Sequence, residues 1–186
     1  MREFLKTLKP AILCFVVMTT LCGVLYPGVV TFVARSLFPE QANGSVIVIK
    51  SNDGVYEKAG SALIAQEFTR PEYLIGRPMG TTNLSPFAEE QRKLVQGRVD
   101  WFRAIDPGNT AEIPADLATA SGSGVDPYIS PEAAEYQIPR IAGTRGMSEE
   151  AVREIIERYT SGKFLRFWGE PAVHVLKVNL ALDGLL

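Results

Sequence analysis

From Pro10 through Ala34 the chain runs for 25 consecutive residues without an Asp, Glu, Lys, Arg or His. As a helix rising 1.5 Å per residue, such a run covers about 37 Å, enough to cross the ~30 Å hydrocarbon layer of a bilayer with slack for tilt. A secretory signal has an apolar core of only ~7–15 residues followed by a small-x-small cleavage site. Here Leu37-Phe38-Pro39 follow instead, and Leu13 and Leu21 stand before Cys14 and Cys22 where a lipoprotein signal needs a small residue. The run therefore reads as a retained anchor. One such segment ahead of a normally charged remainder excludes both a simple cytosolic globule and a multi-span channel.

The flanks set an orientation. Arg2, Lys6 and Lys9 precede the run, offset by Glu3, while Arg35 alone follows closely. Positive residues favour the cytoplasmic side, so residues 1–9 read as a cytoplasmic amino terminus, 10–34 as the transmembrane helix and 35–186 as an extracytoplasmic domain. Cys14 and Cys22, the only cysteines, both lie in the span, which leaves the domain without thiols to scramble in an oxidising compartment. Within the span Thr19, Gly23 and Pro27 recur every four residues. A continuous helix stacks them on one face, where small residues let a partner helix approach closely. Tyr26-Pro27-Gly28 predicts a kink or local unwinding near the outer interface.

The 186 residues carry 19 Lys+Arg and 21 Asp+Glu, without the basic excess of a nucleic-acid binder. Setting aside Arg2, Glu3, Lys6, Lys9 and Arg35 leaves 15 basic and 20 acidic side chains from Ser36 to Leu186, a net charge of −5. The domain predicts a mixed α/β fold. Ser45–Lys50 followed by Asn52-Asp53-Gly54 and Val55-Tyr56 reads as a hairpin. Gly60–Phe68 is compatible with a strand or a helical turn, and Thr69–Ser85 with an ordered loop. Phe87–Ile105 has a helical stripe of Leu94, Val95, Val99, Phe102 and Ile105, and the region from Asp106 through Pro131 reads as a long polar turn region. Ser130-Pro131 and Ser148 are helix starts, with Pro139 breaking the first helix and Gly162 stopping the second. Ala172–Asn179 alternates as a strand.

Few side chains suit catalysis. The single histidine, His174, and a domain without cysteine make no metal site. As a base for Ser121 or Ser123 with Asp126 as orienter, His174 lacks a Gly-x-Ser-x-Gly elbow. The Ser121-Gly122-Ser123-Gly124 loop offers backbone amides to an anion such as a nucleotide phosphate; it lacks the P-loop lysine and spacing, and a closely packed turn explains it as well. Pro131–Ile156 outlines two helices joined by Gly143–Gly146, but its nearly balanced charge and the preceding anchor argue against nucleic acid.

Several stretches together resemble one family, the C subunit (KdpC) of the bacterial Kdp potassium-transporting ATPase. They are Gln41–Ser45, Gly60–Gln66, Gly76-Arg77-Pro78, Thr119–Asp126, Ile129-Ser130-Pro131, Tyr136–Ala142 and Val178–Asp183, in matching order behind a single span. The resemblance implies an accessory subunit that is not itself an enzyme, in the bacterial inner membrane. Its implied partners are the potassium-conducting A subunit and the ATP-hydrolysing B subunit. It further implies potassium as the transported ion, ATP used through the complex, no tightly bound cofactor, and a catalytic-chaperone role that raises the B subunit's affinity for ATP. The family's proposed nucleotide contact corresponds to Gln137. Departures are the stretch after Gly-Arg-Pro, shortened to Thr82–Pro86, and Tyr128 where the family often has histidine. The residues themselves offer another account of Gln137, whose amide can satisfy carbonyls freed where Pro139 breaks the helix. The domain is also a candidate cover for the outer potassium entrance. The alternative function class is a membrane-anchored periplasmic enzyme or binding protein.

Overall fold

The computed structural model describes residues 2–50, 53–163 and 167–186. It divides into two units, Met1–Ser45 and Val46–Leu186.

The first unit is helical: α1 (Arg2–Thr19), a π-helical stretch at Thr20–Leu25, α2 (Tyr26–Leu37) and a single turn, α3 (Pro39–Ala42). Lys6–Leu37 is long and apolar enough to cross a membrane, and its side chains are solvent-facing in the isolated chain. The irregularity expected at Tyr26-Pro27-Gly28 lies just before it, in the π stretch, and Tyr26–Leu37 itself is α-helical. Pro27 has no N–H to give the Gly23 carbonyl, and its ring crowds that carbonyl in α geometry. The Tyr26 amide bonds back to the Leu21 carbonyl, five residues away, and the widened turn relieves the clash.

The second unit mixes helices and strands. β1 (Val46–Lys50) pairs antiparallel with β2 (Tyr56–Ser61), with a register shift between Ile47 and Val48. This is the expected hairpin, although Asn52 of its turn lies outside the described residues. β2 ends at Ser61, so the segment from Gly60 leaves its strand at once. The helix expected over 87–105 is α4 (Glu89–Ile105), and Phe102 is its fully buried contact with the core. The polar region beyond it contains a short helix, α5 (Ala115–Ala118), whose Leu117 and Ala118 are buried.

A second sheet runs β3–β5–β4, all antiparallel, from β3 (Tyr128–Ile129), β4 (Thr160–Ser161) and β5 (Ala172–His174). Between β3 and β4 lie α6 (Pro131–Glu135), α7 (Ile138–Arg145) and α8 (Glu149–Arg158). Ser130 and Ser148 cap α6 and α8 by accepting from the Ala133 and Ala151 amides. Pro139 does more than end α6: with φ already suited to a first turn, it starts α7. α7 takes in Gly143, Thr144 and Arg145, and closes on Gly146 in left-handed geometry. α8 ends at Arg158 rather than at Gly162, because Thr160 and Ser161 are drawn into pairing with β5.

The predicted strand over 172–179 is corrected too. Only Ala172–His174 is extended; Val175–Leu182 is α9, and Val175, Leu176, Val178, Asn179, Leu180 and Leu182 are all buried. An apolar run buried on every side carries no period that separates strand from helix. The core is built from Leu74, Leu117, Ile129, Ile138, Ile141, Val152, Val173 and Val178.

Candidate functional site

The chain from Pro71 to Gly80 forms a strut with no strand partner whose middle, Leu74 and Ile75, is buried in the core, so the peptide groups there need partners from side chains. Two amides supply them. Asn179 on α9 accepts from the Leu74 amide at 2.8 Å and donates to the Leu74 carbonyl at 2.9 Å. Gln137, between α6 and α7, accepts from the Ile75 amide at 2.9 Å and donates to the Ile75 carbonyl at 3.0 Å. Each behaves as a one-residue strand.

Gln137 is fully buried. Its Nε2 also donates to the Ala133 carbonyl at 3.0 Å, one of the carbonyls that the helix break sets free. Its Oε1 accepts from Arg140 at 2.6 Å. Arg140, almost fully buried, also donates to the Pro71 and Tyr73 carbonyls. Burial lowers its pKa to about 10, opposed by Asp106, Tyr136 and Glu72, so it stays charged at neutral pH. The same surroundings act oppositely on the Tyr136 phenol, whose pKa is raised by burial and by Asp106.

Arg145 continues the pattern, with Nε donating to the Glu72 carbonyl at 2.7 Å, NH1 to the Leu182 carbonyl at 2.7 Å and NH2 to Asp183 at 2.8 Å. Its guanidinium lies 5.1 Å from the Tyr73 ring centroid. The Tyr73 hydroxyl donates to Asp183 at 3.0 Å and accepts from Arg70 at 2.9 Å. Beyond this clamped stretch, Arg77 donates to Asp116 at 2.9 Å, and the other carboxylate oxygen of Asp116 accepts from the Ser130 amide at 2.8 Å.

The Ser121–Gly124 loop packs against the far end of the strut. The Gly80 amide donates to the Gly124 carbonyl at 2.9 Å. Gly124 has φ +68°, and a Cβ there would sit 2.7 Å from the Gly80 carbonyl carbon. Its own amide turns inward to Ser121, at 2.9 Å from Oγ. Ser121 and Ser123 hydroxyls lie 3.3 Å apart. The closely packed turn is thus realised at Gly124, while Gly122 faces open space. The structure does not bring this loop and Gln137 together in any hydrogen bond.

His174 is buried. Its Nε2 lies 3.1 Å from the Ala62 carbonyl, which puts the proton there, and its Nδ1 accepts from the Lys177 amide at 3.4 Å to cap α9. Burial lowers its pKa, the Ala62 bond opposing. Tyr128 stacks edge-on against it at 5.0 Å. It makes no hydrogen bond to Ser121 or Ser123. In the first unit, a shallow concavity along one flank includes Gly23, Pro27, Thr31 and Arg35, and the Cβ position of Gly23 lies 3.8 Å from Thr19. Among the described residues no group of three or more His, Cys, Asp or Glu is placed to hold a metal ion.

Three of the segments that carry the family resemblance therefore meet on one strut: Tyr136–Ala142 through Gln137 and Arg140, Val178–Asp183 through Asn179 and Asp183, Thr119–Asp126 through Gly124. A family model described as "K+-transporting ATPase, c chain" (KdpC) matches residues 8–184. The chain belongs to the KdpC family. It is 53% identical over 188 residues to a potassium-transporting ATPase KdpC subunit of Listeria monocytogenes serotype 4a, covering 100% of this chain and 99% of that relative. It is 46% identical over 201 residues to the KdpC subunit of Clostridium perfringens, covering 98% and 99%. The KdpC subunit of Janthinobacterium is 43% identical over 190 residues, covering 96% and 98%. Sequence reasoning missed Arg140, Arg145 and Asn179 as members of the KdpC strut. Polar side chains inside otherwise apolar stretches were the available signal, since burial of such groups requires partners.

Proposed function

We propose that this KdpC chain is the accessory, non-catalytic subunit of a Kdp-type potassium-uptake ATPase in the bacterial inner membrane, assembled with the A and B subunits. The observation that carries this reading is the apolar helix through Leu37, with Arg2, Lys6 and Lys9 before its uncharged stretch and Arg35 after it. That asymmetry favours a cytoplasmic amino terminus and an extracytoplasmic domain over residues 35–186. The small-residue flank at Thr19, Gly23 and Pro27 suits docking against the membrane subunits. The acidic domain suits a cover over the outer potassium entrance, where a net charge of −5 raises local cation concentration.

The family's catalytic-chaperone role, raising the B subunit's affinity for ATP, then operates across the membrane. Gln137 supports an indirect route, because every polar atom of its side chain is engaged inside the fold. The Ser121–Gly124 loop is the more accessible of the two sequence-derived nucleotide sites, yet its Gly124 amide is taken by Ser121 Oγ and its Gly124 carbonyl by the Gly80 amide. An alkaline-phosphatase fusion after Leu186 tests the reading. Activity is expected from that fusion and not from a cytoplasmic reporter at the same position; the reverse result would overturn the outer-face arrangement.

A further inference from the structure

α4 carries a glycine that no internal contact requires. Gly97 lies in mid-helix, where glycine costs about 1 kcal/mol relative to alanine, and a Cβ built on it meets nothing within 4 Å. It lies on the wall of a cavity of about 440 Å³, faced by Ile75 to Met79 at the end of the strut. Leu94 and Trp101, on the same helix, line this cavity and remain 41% and 36% exposed. Arg77 also lines it, but its guanidinium is already held by Asp116 through NH1 and its Nε is closed off inside the fold. Arg98 also lines the cavity, donates to the Ala118 carbonyl at 2.9 Å, and has no carboxylate partner among the described residues.

A bare helix backbone at Gly97 admits another backbone to close range. The Arg98 guanidinium, held by a carbonyl and no carboxylate, calls for a carboxylate oxygen. Apolar walls call for an apolar side chain between them. A polypeptide segment supplies all three. We propose that this cavity is the docking groove for an extramembrane segment of a partner subunit of the pump, one that lays an apolar side chain on Leu94 and Trp101 and presents an acidic residue to Arg98. The proposal rests on the accessory-subunit reading, and it is independent of the side of the membrane on which the domain lies.

The full-length tagged chain co-expressed with the A and B subunits tests it. Gly97→Leu fills the groove from a position that touches nothing, so the melting temperature of the lone chain in detergent should be unchanged or higher. Gly143→Leu, equally open on α7, is the control. Recovery of A and B subunits should fall about ten-fold for Gly97→Leu and for Arg98→Glu, the loss of one central anchor, and stay at the wild-type level for Gly143→Leu. Wild-type recovery with Gly97→Leu overturns the groove. So does a lipid released from the purified wild-type chain and lost in Gly97→Leu while subunit recovery is unaffected, since the occupant is then lipid. A wild-type chain that recovers neither subunit overturns the accessory-subunit reading itself.

Discussion

Gln137 grips Ile75 by both of its peptide groups, Oε1 on the amide at 2.9 Å and Nε2 on the carbonyl at 3.0 Å, across 62 positions of sequence. The same geometry between Asn179 and Leu74 fixes the preceding peptide. Together they thread an unpaired segment through the core and deliver Gly76-Arg77-Pro78 to the cavity beside α4.

Truncating Gln137 is therefore a folding lesion. Gln137→Ala strands the Ile75 amide and carbonyl and removes the neutral acceptor of buried Arg140. At roughly 1–3 kcal/mol for each stranded group, the loss should total about 3–5 kcal/mol. Urea unfolding of the full chain in mild detergent, followed by far-ultraviolet circular dichroism, measures it. A midpoint equal to wild type would refute the clamp. Any fall in nucleotide affinity of a Gln137→Ala pump has to be corrected for this loss before it is attributed to contact.

Gly124 and Gly122 look alike in the sequence and should respond differently. At Gly124 a methyl group meets the Gly80 backbone at 2.7 Å in a left-handed conformation, where alanine is strained and the neighbour is not a flexible side chain. Gly124→Ala should cost about 2–3 kcal/mol, the range of overpacking and strain combined. Gly122→Ala adds its methyl to open space and should change stability by less than about 0.5 kcal/mol. Thermal unfolding of the two variants side by side checks the contrast, and equal effects would contradict the packed-turn account.

What was legible in the sequence was local. Ser130 and Ser148 cap helices through amides three residues on, a relationship written in the spacing itself. β1 announces itself through Val46, Ile47, Val48 and Ile49, and β2 through the Asp53-Gly54 turn before it. The break at Pro139 and the Gln137–Ala133 bond are local too. Val175–Leu182 was not legible as a helix, because complete burial erases the polar face that marks helical period. Nor was the strut, whose partners come from positions 137, 140, 145 and 179, and whose logic is that a core segment without a strand neighbour must borrow one from side chains.

His174 makes the fold acid-sensitive. Its folded pKa lies below the ordinary value of 6.5 because burial disfavours the cation. Protonation would also cost the Nδ1 acceptor that caps α9 at Lys177. The unfolded chain therefore takes up this proton first as pH falls. The histidine's contribution is fully present above about pH 6.5 and is lost progressively below it, toward the folded pKa. His174→Gln removes the titration, so the difference in unfolding midpoint between wild type and variant should shrink as pH drops from 7.5 to 5. A difference independent of pH would mean that His174 does not titrate in this window.

The π stretch at Thr20–Leu25 makes a prediction about the span. One extra residue in a turn rotates everything beyond it by about 100° relative to a plain α-helix. Thr19 is therefore set by the π stretch relative to Pro27 and Thr31, and the concavity that includes Gly23 depends on it. Pro27→Ala restores an amide donor for the Gly23 carbonyl and removes the ring that crowds it, so the helix should regularise and the part before the π stretch should turn by about 100° relative to Pro27 and Thr31, which shifts the small residues against the partner. Gly23→Leu fills the same flank without altering the backbone. Both variants remain apolar enough to insert, and resistance to alkaline extraction from membranes should be unchanged. Recovery of the A and B subunits should fall several-fold in both, since close helix approach depends on small residues at the contact. If Gly23→Leu lowers recovery while Pro27→Ala does not, the contact needs the small side chain and not the π geometry; if neither lowers it, the span docks through another face.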